Sequence, residues 1–162
     1  VLATVLGRGM SSRLFNKIRE QMGAAYYVSA HPNYYTDHGF LGINVGANNQ
    51  KTKEVLQAIL VECSKFKTQL ITKKELKKAQ DYMIGNLSLN LETTDELGWF
   101  FGEQGIIRKN IKTPQEVIKA IKSVTAKEVQ EVAREIFQDK HLNTALIGPV
   151  KSDKGFVSLL TL

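Results

Sequence analysis

Between residues 6 and 28 the apolar positions change period, from every third or fourth residue to every second. Leu14, Phe15, Ile18 and Met22 recur at helical spacing. Ser11 or Ser12 stands where a side-chain oxygen accepts from the first turn's free N–H groups, and Gly23 falls where a left-handed residue ends a helix. From Ala24 the alternation is that of a strand, with Tyr26, Val28 and Ala30 on one face and Tyr27, Ser29 and His31 on the other. Upstream, the apolar run 1–6 reads as the tail of an element whose beginning is missing, broken by Gly7 and Gly9. Downstream, Pro32, Asn33, Asp37 and Gly39 mark a turn region, after which Leu41, Ile43 and Val45 alternate with Gly42, Asn44 and Gly46. The simplest arrangement is an antiparallel pair of strands joined by a medium loop.

Helical patterning dominates the rest of the chain. Residues 48–50 open a helix carrying Val55, Ile59, Glu62 and Phe66. Three reciprocal capping boxes, Thr72 with Glu75, Thr113 with Glu116 and Thr125 with Glu128, announce three more, the second strengthened by Pro114 at its first position. Thr93 or Thr94 starts another, in which Trp99, Phe100 and Phe101 read as core. Val129, Val132, Ile136 and Phe137 mark the buried side of the last helix, and residues 142–147 read as a strand stopped by Gly148 and Pro149. Strands clustered early and helices grouped afterwards predict an α+β fold, an antiparallel sheet packed with helices. Residues 1–150 form the expected domain and 151–162 a linker or C-terminal tail.

Composition narrows the function classes. A chain of 162 residues with 43% hydrophobic content supports one domain with its own core. No apolar run approaches the roughly 20 residues that span a bilayer. Cys63, the single cysteine, cannot form an internal disulfide and lies in a helical apolar pattern. The formal charge of +6 permits an anionic partner, yet Lys65, Lys67, Lys73, Lys74, Lys77, Lys78, Lys109, Lys112, Lys119 and Lys122 are spread along several helices, as solvated faces require.

Candidate chemistry is sparse. His31, Asp37 and His38 form the only metal-like cluster, but their spacing crosses a proline-containing loop rather than one helix face, and loop histidines are the better reading. Gly7, Arg8 and Gly9 before a helix resemble half of a phosphate-binding loop, although position 12 is serine where the full motif has glycine. A glycine-lined packing turn accounts for them more cheaply. Arg19 differs: at about 100° per residue it lies about 40° beyond the edge of the apolar arc. Tyr26 stands seven positions later on the strand leaving that helix. A guanidinium and a phenol on two rigid elements meeting at Gly23 can donate hydrogen bonds to a peptide carbonyl.

The segment running from Leu6-Gly-Arg-Gly-Met-Ser-Ser-Arg-Leu-Phe15 through Ile18-Arg-Glu-Gln-Met-Gly23 to Ala25-Tyr26 resembles the LGxGMSSRLFxxIREKxGLAYSV signature of the second domain of M16 peptidases, the zinc peptidases of the pitrilysin and insulinase type. The similarity continues through Asp37-His-Gly39, Ile71-Thr-Lys-Lys-Glu75, Leu91-Glu-Thr, Val124-Thr-Ala and Ile147-Gly-Pro149. Arg8 and Ala24 depart from it, standing where the family usually has glycine and leucine. In that family two homologous α+β halves enclose a chamber, and the first half binds zinc through an inverted HxxEH motif.

This chain has no HxxEH, so the resemblance implies the second half, with no metal ligand and no catalytic residue of its own and with zinc in the parent protein held by the other half. It implies that Arg19 and Tyr26 bind the peptide substrate. It also implies that the family's first strand of this half precedes Val1, so that the sheet lacks a member or is completed by another chain. The partners expected are the N-terminal M16 half, in the same polypeptide or a partner subunit, and a peptide substrate, with a dimer left open and neither nucleic acid nor a membrane span. A non-catalytic M16-like subunit or scaffold is the alternative, and an anion- or nucleic-acid-binding module a weaker one.

Overall fold

The computed structural model describes residues 1–107, 110–150, 152 and 154–162; Lys109, and Lys151 at the start of the expected tail, lie outside the described residues. Besides two short 3-10 turns (Asn49–Lys51 and Asp139–His141), the elements in chain order are helix α1 (Leu2–Gly7), a π-helical segment (Phe15–Gln21), strands β1 (Ala25–Tyr34) and β2 (Gly39–Ala47), and helices α2 (Thr52–Thr68), α3 (Lys73–Leu89), α4 (Thr94–Ile107), α5 (Pro114–Ser123), α6 (Ala126–Ile136) and α7 (Lys154–Val157). Among the described residues the sheet is one antiparallel hairpin, β1 against β2. The expected α+β class is the one observed.

Pairing runs from Tyr34 opposite Gly39 back to Tyr27 opposite Gly46, and Tyr35 N–H donating to the His38 carbonyl at 3.0 Å closes the turn. Pro32 lies inside β1, opposite Leu41, rather than in the connection. A proline lacks the N–H a ladder needs, and it is tolerated here because β1 has one neighbour and a free edge. The loop is therefore shorter than the turn residues suggest.

α1 and the π-helical segment pack on β1, α2 packs on α6, and α3 on α5. The core joins Leu6, Leu14 and Ile18 to Val28 and Ala30 of β1, to Val55, Cys63 and Phe66 of α2, to Ala79 of α3, and to Val129 and Ala133 of α6 and Phe137 just after it. Side chains tie the helix ends together: Gln80 donates to the carbonyls of Ile121, Lys122 and Val124 at the end of α5, and Arg134 to that of Lys67 at the end of α2.

All three capping boxes form. A fourth, Thr93 with Glu96, fixes Thr93 as the start of α4. Two stretches of the later chain depart from expectation. Trp99 is 80% exposed, and Phe101 is exposed as well. α4 is apolar around much of its circumference, so its sequence does not specify which side is covered; its buried residue is Gln104, which binds the backbone of Phe100 and Lys112. Residues 142–147 form no strand: none of them pairs with β1 or β2, and Ile147 is fully exposed. In the tail, Phe156 is buried and Leu162 N–H donates to Asp139.

Candidate functional site

The glycine turn that opens this region is a packing device. A Cβ on Gly7 would stand 2.6 Å from both Cβ and N of Ala30, so the end of α1 approaches the β1 backbone as only glycine permits. Gly9 has φ +78°, which turns the chain back. The buried Ser12 hydroxyl donates to the Gly9 carbonyl at 2.8 Å, so neither serine caps the next helix as the pattern suggested. That reversed turn brings a carbonyl, rather than free N–H groups, to the hydroxyl.

The segment after the turn is anchored by Arg13. Its Nε donates to Glu75 Oε1 at 2.7 Å and its Nη2 to Oε2 at 3.2 Å, while the guanidinium stacks 4.3 Å from the Phe66 ring. Glu75 also closes the capping box with Thr72 N–H at 2.8 Å. Partial burial alone would raise its pKa, but the bonds from Arg13 and Thr72 prevail and hold it at about 2. The site is thereby fixed to α3 by a bidentate ion pair.

Residues 15–21 wind as π-helix, so their angular spacing is not the 100° of the sequence projection. Arg19 is exposed in the last turn, where its charge suits the helix C-terminus, and its guanidinium lies 5.0 Å from the Phe15 ring one turn back. Gly23, φ +53°, ends the segment as expected. Two bonds from the far end of β2 hold the exit: Lys51 Nζ donates to the Met22 carbonyl at 2.9 Å and Asn48 N–H to that of Ala24 at 2.9 Å.

Tyr26 comes immediately after this clamp, at a break in the ladder. Ala25 opposes Ala47 and Tyr27 opposes Gly46, so Tyr26 is the extra residue of a β-bulge. Strict alternation would put it on the face of buried Val28 and Ala30; the bulge leaves it 84% exposed instead. Arg19 and Tyr26 are thus both solvent-facing, on elements packed directly against each other and joined through Gly23. Among the described residues neither side chain makes a hydrogen bond, so the guanidinium and hydroxyl donors are available.

Tyr27 and Gly46, the pair beside the bulge, went unread in the sequence; the signal lay in a glycine inside the alternating run 41–46, since a glycine within a strand often marks a bulge or a close approach. The histidines do not gather. His31 faces Gly42 within the ladder, whereas His38 sits in the turn with its Nδ1 2.6 Å from Asp37 Oδ1 and its ring stacked on Tyr35. Among the described residues no group of three or more His, Cys, Asp or Glu is arranged to hold a metal. None of the helices is long and apolar enough to cross a membrane, among the same residues.

The family model described as Peptidase M16 inactive domain matches residues 1–83, which take in α1, the clamp, the hairpin, α2 and most of α3, and the chain belongs to that family. It is 34% identical over 149 residues to the uncharacterized zinc protease YmxG of Bacillus subtilis, covering 92% of this chain and 36% of that protein. It is 31% identical to an uncharacterized zinc protease of Streptomyces coelicolor, covering 93% and 33%. The chain spans about a third of the length of these curated relatives. Among solved structures, a conserved protein from Enterococcus faecalis superposes with a TM-score of 0.74 at 25% identity over 82% of this chain and 31% of that one. The peptidase M16 inactive domain from Pseudomonas fluorescens superposes with 0.72 at 20% identity over 87% and 32%, a likeness of fold.

Proposed function

We propose that this domain is the substrate-gripping half of a zinc endopeptidase whose metal is carried elsewhere in the parent protein. The observation that carries the reading is the bulge that turns Tyr26 into solvent on the strand packed against the Arg19 helix, with neither side chain hydrogen-bonded. The described residues offer no fit for zinc, so no step runs through a metal on this chain. Its own residues bind and orient. The Tyr26 hydroxyl donates to a carbonyl of an extended peptide near the scissile bond, and the Arg19 guanidinium donates to a neighbouring backbone carbonyl. Gly23 and the Lys51 and Asn48 clamp keep the two donors in register.

A peptide substrate fits this pair better than a nucleic acid does, since it presents repeated carbonyl acceptors to a single cation and a phenol. A basic face for phosphates would instead gather several cations.

The test uses the full-length protein. Arg19→Ala and Tyr26→Phe are each expected to lower kcat/KM for peptide cleavage by about 10- to 100-fold, the loss of one hydrogen bond of about 1.5–3 kcal/mol, with bound zinc unchanged. Unaltered kinetics in both variants would remove the site. Absence of any peptidase activity in the full-length protein would favour a scaffold subunit in its place.

A further inference from the structure

We propose that Gly46 is a positioning residue for this surface: it lets the Tyr27 ring lie flat on β2, which keeps the space beside Tyr26 open to a peptide chain. The inference rests on Arg19 and Tyr26 being the peptide-binding pair. Tyr27 and Gly46 oppose each other across the hairpin. A Cβ at position 46 would stand 2.4 Å from Tyr27 Cε1, 2.7 Å from Cδ1 and 3.0 Å from Cζ, so the ring fills the volume that any other side chain would take. Laying an aromatic ring over a glycine on the facing strand covers the backbone that the glycine leaves bare.

The placement matters because of the neighbouring bulge. Val28 and Ala30 are buried, so alternation sends Tyr27 to the open side, where it is 58% exposed, and the bulge turns Tyr26 out as well. Two phenols thus stand in succession at the open end of the hairpin, and Tyr27 is held down while Tyr26 stands free. With alanine at position 46 the Tyr27 ring cannot remain where it is. It must take another staggered χ1 well and lift from β2, toward the flank of Tyr26 where a peptide would lie. The damage is to substrate binding, because no group that meets the reacting bond has changed.

The experiment uses the full-length protein and an unstructured fluorogenic peptide, with kcat, KM and bound zinc measured for Gly46→Ala, Tyr27→Ala, the double variant and, as a control on the site itself, Tyr26→Phe. Gly46→Ala is expected to raise KM by about fivefold or more with kcat within about twofold and zinc unchanged. Tyr27→Ala stays within about twofold of the wild type, and the double variant returns to the level of Tyr27→Ala, because removing the ring removes the obstruction. A silent Gly46→Ala beside an impaired Tyr26→Phe overturns the positioning role alone. A double variant as poor as Gly46→Ala also overturns it, since the fault then lies in the strand. Silent Tyr26→Phe and Arg19→Ala, or a parent protein that cleaves no peptide, overturn the site reading and this proposal together. If Gly46→Ala does not fold, Tyr27→Trp puts a bulkier ring on the intact glycine: a raised KM supports the crowding and an unchanged one refutes it.

Discussion

Protonating Glu75 should loosen the anchor of the candidate site, and its contacts set the size of the effect. The carboxylate accepts two bonds from Arg13 and closes the Thr72 box, and its pKa falls from 4.5 to about 2. At 1.36 kcal/mol per unit this corresponds to a ceiling of about 3.4 kcal/mol. The side chain keeps 29% of its surface in water, and screening reduces the contribution to about 1–2 kcal/mol. Because the folded pKa lies below the unfolded one, the stabilisation is complete above pH 4.5 and is lost as pH falls toward 2. Glu75→Gln separates the terms: glutamine still closes a capping box but carries no charge for Arg13. Urea unfolding followed by far-UV circular dichroism should find the wild type more stable by about 1–2 kcal/mol at pH 7, with the gap less than half as large at pH 3. Glu116 and Glu128, whose pKa values are lowered by their own threonine caps, lose stabilisation in both proteins and cancel in the difference. A gap that stays constant from pH 7 to 3, or no gap at pH 7, would refute the ion-pair account.

Three further outcomes are expected. Gly7→Ala should cost about 2–3 kcal/mol in urea unfolding, because its Cβ would meet Ala30 Cβ and N at 2.6 Å; an unchanged midpoint would mean that the end of α1 does not approach β1 so closely. Burial pushes the Cys63 thiol up to about 12, with the Glu62 charge adding to it, so at pH 8 it should resist a disulfide reagent until the protein unfolds. Rapid labelling of the native chain would contradict its place in the core. Gln104→Ala should cost about 1–3 kcal/mol by leaving the backbone of Lys112 unpaired, and amide exchange at Lys112 should rise; protection unchanged at that amide would show the link from α4 to α5 to be held by something else.

The parts of the fold that were legible in the sequence are those whose cause is local. Each capping box needs only a threonine and a glutamate three positions on, and all of them form. Gly23 shows its left-handed backbone for the same reason. What stayed hidden depends on partners distant in sequence. Residues 142–147 have the composition of a strand, but a strand exists only beside another edge. Trp99 has the composition of core, but whether it is covered is decided by what lies against α4, and among the described residues it is left at 80% exposure.

Tyr26 shows how the two kinds of cause meet at the candidate site. Its period-two phase with Val28 and Ala30 points it inward, onto the face that α1 and the π-helical segment cover. A phenol there would have to find a buried hydrogen-bond partner or leave its oxygen unsatisfied, at a cost of about 1–3 kcal/mol. One extra residue in β1 relative to β2 removes that cost by moving the ring across the ladder, after which alternation resumes with Tyr27 outside and Val28 inside. The bulge can be held there because the chain just before it is fixed by the Lys51 and Asn48 bonds. An alternating pattern records which residues are apolar, but it has no term for an inserted residue. The side chain that the family resemblance marks for substrate is therefore the one whose face the pattern predicts wrongly.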